Sequence, residues 1–393
     1  MKPIVLAGFC RTPVGNFGGA FREMNSTQLG VVVAREALQR VGIEPRDLDE
    51  VVFSSGGHPT KEANLGRQVS LFASFPYEIP AFSVQRNCAG GLQAVTSAAQ
   101  AIRAGDGEVI LAGGAENMSN APYEVYGARW GLRLRHAAFE DSLWTGLTDP
   151  YTGLIMGLTA ENLAERYGIT REEQDTWAVE SHRKAFTAAR MGRFKDEIVP
   201  VEVPKRRGPA EVVKQDESPV AGLSLERLAL AEPVFKKDGT VTAGNSCPIN
   251  DAASACVVAS EEAASRLDIK PMAYLRSWAY AGCDPSIMGI GPVHSTRKAL
   301  EKAGLKLEDI DLMEINEAFA AQVIACQREM GFDVDRINVN GGGIALGHPI
   351  GATGLRLLTT LAHEMARRGA RYGLATLCVG GGMGGSVILE RRE

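Results

Sequence analysis

The sequence predicts an α/β protein made of two duplicated halves around an insertion. The first observation is self-similarity. AREALQRVGIEPRDLDEVVF (34–53) aligns with TRKALEKAGLKLEDIDLMEI (296–315) at an offset of 262, and Arg, Ala, Leu, Gly and two Asp recur in register. RAGDGEVILAGG (103–114) resembles RRGARYGLATLC (367–378) at an offset of 264. Two matches at nearly one offset point to internal duplication. The second observation is the pattern inside each match: a helix, a glycine stop, a short loop, then an apolar strand. The third is the continuous apolar runs VILAG (109–113) and LATLCV (374–379), expected of strands covered on both faces. Together these predict α/β layers around mostly parallel sheets.

The chain has 393 residues, enough for two or three packed units and a large core. A 45% hydrophobic content and a net charge of −5 fit a soluble globular protein with no electrostatic footprint for nucleic acid. The one dense basic cluster, Lys205-Arg206-Arg207, reads as a solvated loop. The apolar run in MKPIVLAGF is too short for a signal peptide, and no later segment reads as a membrane span, so a cytoplasmic protein is expected. Seven cysteines are scattered without a Cys-x-x-Cys pair, which suggests neither a disulfide framework nor a zinc knuckle.

Residues 1–118 form the first half, 119–246 the insertion, 247–270 the return to the first half, and 271–393 the second half. The insertion is aromatic and charged, with Gly, Pro and Arg-Lys clusters, and such loops on a rigid scaffold commonly select substrate.

Three glycine-rich turns carry the candidate chemistry. In SVQRNCAGGLQAV, Cys88 stands between a strand end and a helix of small residues from Ala89 to Ala104. A helix N-terminus favours a thiolate, so a lowered pKa and a nucleophilic role are expected; taken alone, a cysteine here would better suit a tight apolar junction. In LATLCVGGGMGG, Cys378 ends a buried strand, and backbone N–H groups from Val379 to Gly381 can form an anion-binding nest. In NGGGIALGHPIGATG (340–354), His348 precedes a helix expected from about Pro349 to Arg368, in a loop too rich in glycine for ordinary packing. HEMAR (363–367) lacks the second histidine of a zinc helix, so no metal site follows, and the glycine runs match neither phosphate-loop nor dinucleotide fingerprints.

At these turns the chain resembles the thiolases, which make or cleave 3-ketoacyl-coenzyme A. The resemblance runs through NCAGGLQAV (87–95), GGAENMS (113–119), MGLTAENLA (156–164), DGTVTAGN (238–245), INEAFA (315–320), NVNGGGIALGHPIGATG and LCVGGGMGG (377–385), in that order. It implies a thiolase-like fold: two βαβαβαββ halves in an α-β-α-β-α layering with an inserted loop domain. It further implies that Cys88 attacks a thioester carbonyl with help from His348, and that Cys378 is base or acid at the α-carbon. One oxyanion pocket would use His348 and a water held by Asn316, the other the N–H groups of Cys88 and Gly380. Ser224 and Cys247 would contact coenzyme A, which is substrate rather than resident cofactor, and a homodimer or homotetramer is expected. The chain departs from the family pattern at Gly90 (usually Ser or Thr), Gln85 (Asn), Cys247 (Ser), Ile155 (His in some short-chain members) and Val220 (often Arg). FEDSLWTGLTDP (139–150) and GCDPSIMGIGPV (282–293) are nearer to degradative thiolases, which suggests fatty acid metabolism and β-oxidation. Two alternatives remain: a thiolase-like scaffold or binding subunit with reduced turnover, and a ketoacyl-synthase-type condensing enzyme, against which Cys378 argues.

Overall fold

A computed structural model describes residues 2–57, 59–134, 136–205 and 207–392, so Arg206 of the basic cluster lies outside the described residues. The first half contributes β1 (Ile4–Arg11), α1 (Ser26–Val41), β2 (Glu50–Ser54), α2 (Leu65–Phe72), β3 (Ala81–Val84), α3 (Gly90–Ala104) and β4 (Val109–Asn117). Helices α4 (Met156–Tyr167) and α5 (Arg171–Arg190) and two short hairpins, 123–124 with 140–141 and 201–203 with 211–213, follow before β5 (Asn250–Ser260). The second half contributes β6 (Ala273–Gly282), α6 (Gly291–Ala303), β7 (Leu312–Ile315), α7 (Ala320–Met330), α8 (Ile350–Arg368), β8 (Tyr372–Val379) and β9 (Met383–Glu390).

The main strands hydrogen-bond in the order β7-β8-β9-β6-β1-β5-β4-β2-β3. Read outward from the β6–β1 seam, each half repeats the other: β1 matches β6, β5 matches β9, β4 matches β8 and β2 matches β7. The repeat extends to the stops, because Gly42 and Gly304 end α1 and α6 in the left-handed region, at φ 72° and 68°. A single 3₁₀ turn follows each, at Pro45–Asp47 and Leu307–Asp309, before the strand.

The sheet differs from expectation in one respect. Only β2–β3, β2–β4 and β7–β8 are parallel, whereas β4–β5, β5–β1, β1–β6, β6–β9 and β9–β8 are antiparallel. The apolar runs arise from helix cover on both faces, not from parallel pairing. Helices α3 and α8 pack on each other between the two halves of the sheet, while α1 and α6 lie on the outer faces. That gives the five-layer thiolase-like arrangement.

Glycine brings the central helices together. A Cβ on Gly91 would lie 2.4 Å from the Leu355 nitrogen, and one on Gly354 would lie 2.5 Å from the Leu92 nitrogen. The two backbones are thus in contact, three residues after Cys88 on α3 and six after His348 at the head of α8. The inserted segment is fastened to this core through Arg11, 1% exposed, which pairs with Glu197 at 2.8 Å and with Asp216 at 2.7 Å. A pair so buried is costly to break from one side, since the other charge is left without a partner.

Candidate active site

Cys88 sits on a 3₁₀ turn, Asn87–Ala89, that leads directly into α3. Asn87 takes φ 43° there, a conformation asparagine tolerates, and its Nδ2 donates to the Gly380 carbonyl at 3.0 Å. This bond ties the Cys88 turn to the glycine turn between β8 and β9. The thiol does not follow the helix-dipole expectation. Burial pushes Cys88 up to about 11, although the N–H groups of Gly380 and of Cys88 itself pull the other way. Desolvation outweighs the helix end, so the resting group is a thiol and a base must take its proton.

Cys378 ends β8, fully buried among Met156, Ala160, Phe235, Val241, Met288, Ala318 and Phe319. Burial holds its thiol well above the ordinary range, and an ionised Cys88 would raise it further. The two thiols therefore lie within electrostatic reach, joined by the Asn87–Gly380 contact. Cys247 belongs to the same cluster. Its N–H donates to Ala318 O at 3.0 Å, and burial followed by the charge of Cys88 pushes its thiol up to about 12.

His348 is 7% exposed just before α8, which starts one residue later than the sequence suggests, with Pro349 as its N-cap. The hydroxyl of Thr353 donates to Pro349 O at 2.8 Å, so it must accept from His348 Nδ1 at 2.7 Å. That bond fixes the tautomer and leaves Nε2 as an acceptor. Burial first, and then Arg356, hold the imidazole down to about 3, which keeps it neutral at physiological pH. Asn250 Oδ1 accepts from the His348 N–H at 3.0 Å.

Asn316 follows β7, fully buried, with neither side-chain Oδ1 nor Nδ2 bonded to a protein group. A buried amide of this kind suits a bound water or a substrate oxygen. Gly343 abuts it, since a Cβ there would meet Asn316 Oδ1 at 2.7 Å. The adjacent Glu317 accepts from Trp177 Nε1, Ser181 Oγ, Asn338 Nδ2 and Ile344 N, which joins the INEAFA loop to the NGGGI loop.

Ser224 is half-buried and caps a short helix by accepting from Arg227 N at 3.3 Å. It makes no hydrogen bond with Cys88, His348, Asn316 or Cys378. Val220 N donates to His182 Nδ1 at 3.1 Å. The departure at Gly90 has a local reason: a Cβ there would come 2.9 Å from the Ser54 Cβ, so Ser54 fills the space from across the site.

Two family models cover nearly the whole chain: the thiolase N-terminal domain matches residues 4–262 and the thiolase C-terminal domain residues 269–391. The chain belongs to the thiolase family. Full-length relatives agree, among them acetyl-CoA acetyltransferases of Syntrophomonas wolfei (50% identical, 99% of each chain) and Pseudomonas aeruginosa (50% identical, all of both chains). Among solved structures, the Bacillus anthracis acetyl-CoA acetyltransferase superposes with a TM-score of 0.98 at 46% identity, over 99% of each chain. Human mitochondrial 3-ketoacyl-CoA thiolase does so with 0.97 at 41% identity, over all of this chain and 99% of that one. This thiolase is an acyltransferase that takes coenzyme A thioesters as substrates and needs no resident cofactor. No helix among the described residues is long and apolar enough to cross a membrane.

Sequence reasoning gave no role to Glu116, Glu317, Asn250, Thr353 or Asn87. The signal for the first two was available: a carboxylate within GGAENMS and within INEAFA stands in a buried apolar setting, where it must be bonded.

Proposed function

We propose that this thiolase interconverts acetyl-CoA and short- or medium-chain 3-ketoacyl-CoA through an acyl-Cys88 intermediate. The observation that carries this reading is the fixed His348 tautomer, whose Nε2 is free to accept a thiol proton, at the head of a helix in backbone contact with the Cys88 helix. In thiolysis, Cys88 Sγ attacks the 3-keto carbon as His348 takes its proton, and the C2–C3 bond breaks. Cys378 gives its proton to C2 of the departing acetyl-CoA enolate. Coenzyme A thiol then attacks acyl-Cys88, and its proton and that of His348 restore the two cysteine thiols. Condensation is the same sequence reversed. A protonated resting Cys378 suits the acid role.

The developing negative charge on the oxygens would meet His348 with the Asn316-held water in one pocket, and the N–H groups of Cys88 and Gly380 in the other. The bare Asn316 amide and the Gly380 N–H facing the Cys88 sulfur support these assignments. Cys247 and Ser224 are read as coenzyme A contacts, and 119–246 as the inserted domain that selects substrate.

Assembly as a homodimer or homotetramer is supported by the edge strand β3 with its exposed Phe82, by the nearby exposed Phe72 and Tyr77, and by the apolar side chains exposed between 123 and 151. A cytoplasmic enzyme of fatty acid β-oxidation is the corresponding cellular reading. Rates of thiolysis for acetoacetyl-CoA and longer homologues test the proposal, with Cys88→Ala and Cys378→Ala as controls. Full activity in Cys88→Ala would refute it.

A further inference from the structure

We propose that Glu116 is a positioning residue that registers the His348 end of α8 against the Cys88 turn. The inference rests on the acyl-Cys88 reading above. Glu116 lies near the end of β4, 4% exposed, and all its hydrogen-bonding neighbours are donors. Oε2 accepts from Gly56 N at 2.5 Å and from Gly351 N at 2.7 Å; Oε1 accepts from Ser55 Oγ at 2.9 Å and from Gly57 N at 3.3 Å. Burial raises this carboxyl above its ordinary range, while the bonds from Gly56, Ser55, Gly351 and Gly57 pull it back toward the ionised form. Three of the donors come from the loop after β2. The fourth, Gly351 N, is in the first turn of α8, where the helix end also favours an anion.

The peptide unit at Gly351 is gripped from both sides. Its N–H goes to Glu116, and its carbonyl accepts from Ser54 Oγ at 2.6 Å. A Cβ at 351 would lie 2.5 Å from Ser55 Cα and 2.8 Å from Glu116 Oε2, so the helix touches the loop by backbone alone. Three residues earlier, His348 N is held by Asn250 on β5. The segment from His348 to Gly351 is therefore fixed at each end by a side chain of the first half, the half that carries Cys88. The histidine comes from the second half, and these two anchors set its place relative to the sulfur. Simple packing would need neither a charge nor four donors at this point.

Two substitutions in the full-length enzyme test the assignment. Glu116→Gln keeps the volume but turns one acceptor into an amide N–H₂ facing donors. Glu116→Asp keeps the charge but is too short to reach both the 55–57 loop and Gly351. Both are expected to lower kcat for acetoacetyl-CoA thiolysis on the order of 10²-fold with KM changed less than about twofold, and to lower the melting temperature because buried donors lose their acceptor. Iodoacetamide modification of Cys88, located by peptide mass spectrometry, supplies a readout that a purely structural role would not move. The N–H groups of Gly380 and Cys88 bond that sulfur, Glu116, Cys378 and Cys247 lie within electrostatic reach of it, and His348 is its proposed base. Both variants loosen the hold on the histidine that takes the thiol proton, so modification should slow in Glu116→Gln and in Glu116→Asp alike. A Glu116→Asp enzyme within about threefold of parental kcat, or Cys88 modified at the parental rate in both variants, would overturn the proposal. Should Glu116→Gln not fold, the Asp variant decides. Failure of the underlying reading is separable, because it would appear as thiolysis surviving Cys88→Ala.

Discussion

At the floor of the site, Gly91 and Gly354 let α3 and α8 touch by backbone, and Asn316, His348 and Cys378 are all buried. At the rim, residues 123–151 hold Tyr123, Tyr126, Trp130, Leu132, Leu134, Phe139, Trp144 and Tyr151 toward solvent, Trp130 at 87% and Leu134 at 97% exposure. The floor is built where the two repeats meet; there His348 and Asn87 are fixed by hydrogen bonds, while the Asn316 amide bonds no protein group. The rim belongs to the 119–246 segment, which meets the core through Arg11 with Glu197 and Asp216, through Trp177 and Ser181 with Glu317, and through Ser119 with Asp251. The difference separates a core whose backbone contacts and hydrogen bonds hold the reactive side chains from a rim whose aromatic side chains take no part in those contacts.

The largest disturbance should come from the helix contact itself. Gly354→Val places branched carbon against Leu92 N, and overpacking there is expected to cost at least about 3 kcal/mol, read from the denaturant midpoint or as loss of soluble protein. A fold that absorbed valine at parental stability would mean that α3 and α8 do not depend on this contact. Next comes the base: His348→Ala should lower kcat/KM for thiolysis by about 10³-fold while the melting temperature changes little. Asn316→Ala should cost about 10²-fold in kcat, again with the fold intact, because the lost group acts only on developing charge.

A smaller effect sharpens the account of burial at the floor. The His348 imidazole is held down to about 3 in the native state, against about 6.5 when unfolded. Between those values the unfolded chain binds the proton and the native protein does not. The stability associated with this group is therefore complete above pH 6.5 and declines as pH falls toward 3, by up to about 1.4 kcal/mol per pH unit. Urea unfolding across pH 4 to 7 should show a weaker pH dependence in His348→Asn than in the parent; equal dependence would contradict the burial argument. The smallest expected effect lies at the rim. Trp130→Ser combined with Leu134→Ser should leave chain stability within about 0.5 kcal/mol and alter the sedimentation of the assembled enzyme instead.

Legibility followed the same division. The repeat, its glycine stops and the three reactive turns could be read because glycine, proline and periodicity are local signals. Antiparallel pairing of β5 and β9 was hidden, because a strand buried on both faces looks the same in either direction. The pKa of Cys88 was misjudged for a related reason: the helix end is visible in sequence, but the desolvation that outweighs it depends on what surrounds the turn. Glu116, Asn250 and Thr353 act through contacts from 5 to 235 residues away. A carboxylate in an apolar run signals that Glu116 must be bonded, but its partners, like those of Asn250 and Thr353, emerge only in the folded geometry. Ser224, carried over by resemblance, caps a short helix through its hydroxyl oxygen, which leaves the O–H to donate elsewhere.

The central claim is that a neutral His348 lets Cys88 become the acyl carrier. Brief exposure of the enzyme to labelled acetyl-CoA, followed by peptide mass spectrometry, tests it most directly. The account predicts one acetyl group on the Cys88 peptide in the parent, its absence in Cys88→Ala, and greatly slowed formation in His348→Ala. Acetyl label on Cys378 or Cys247 in place of Cys88, or equally fast labelling without His348, would contradict it.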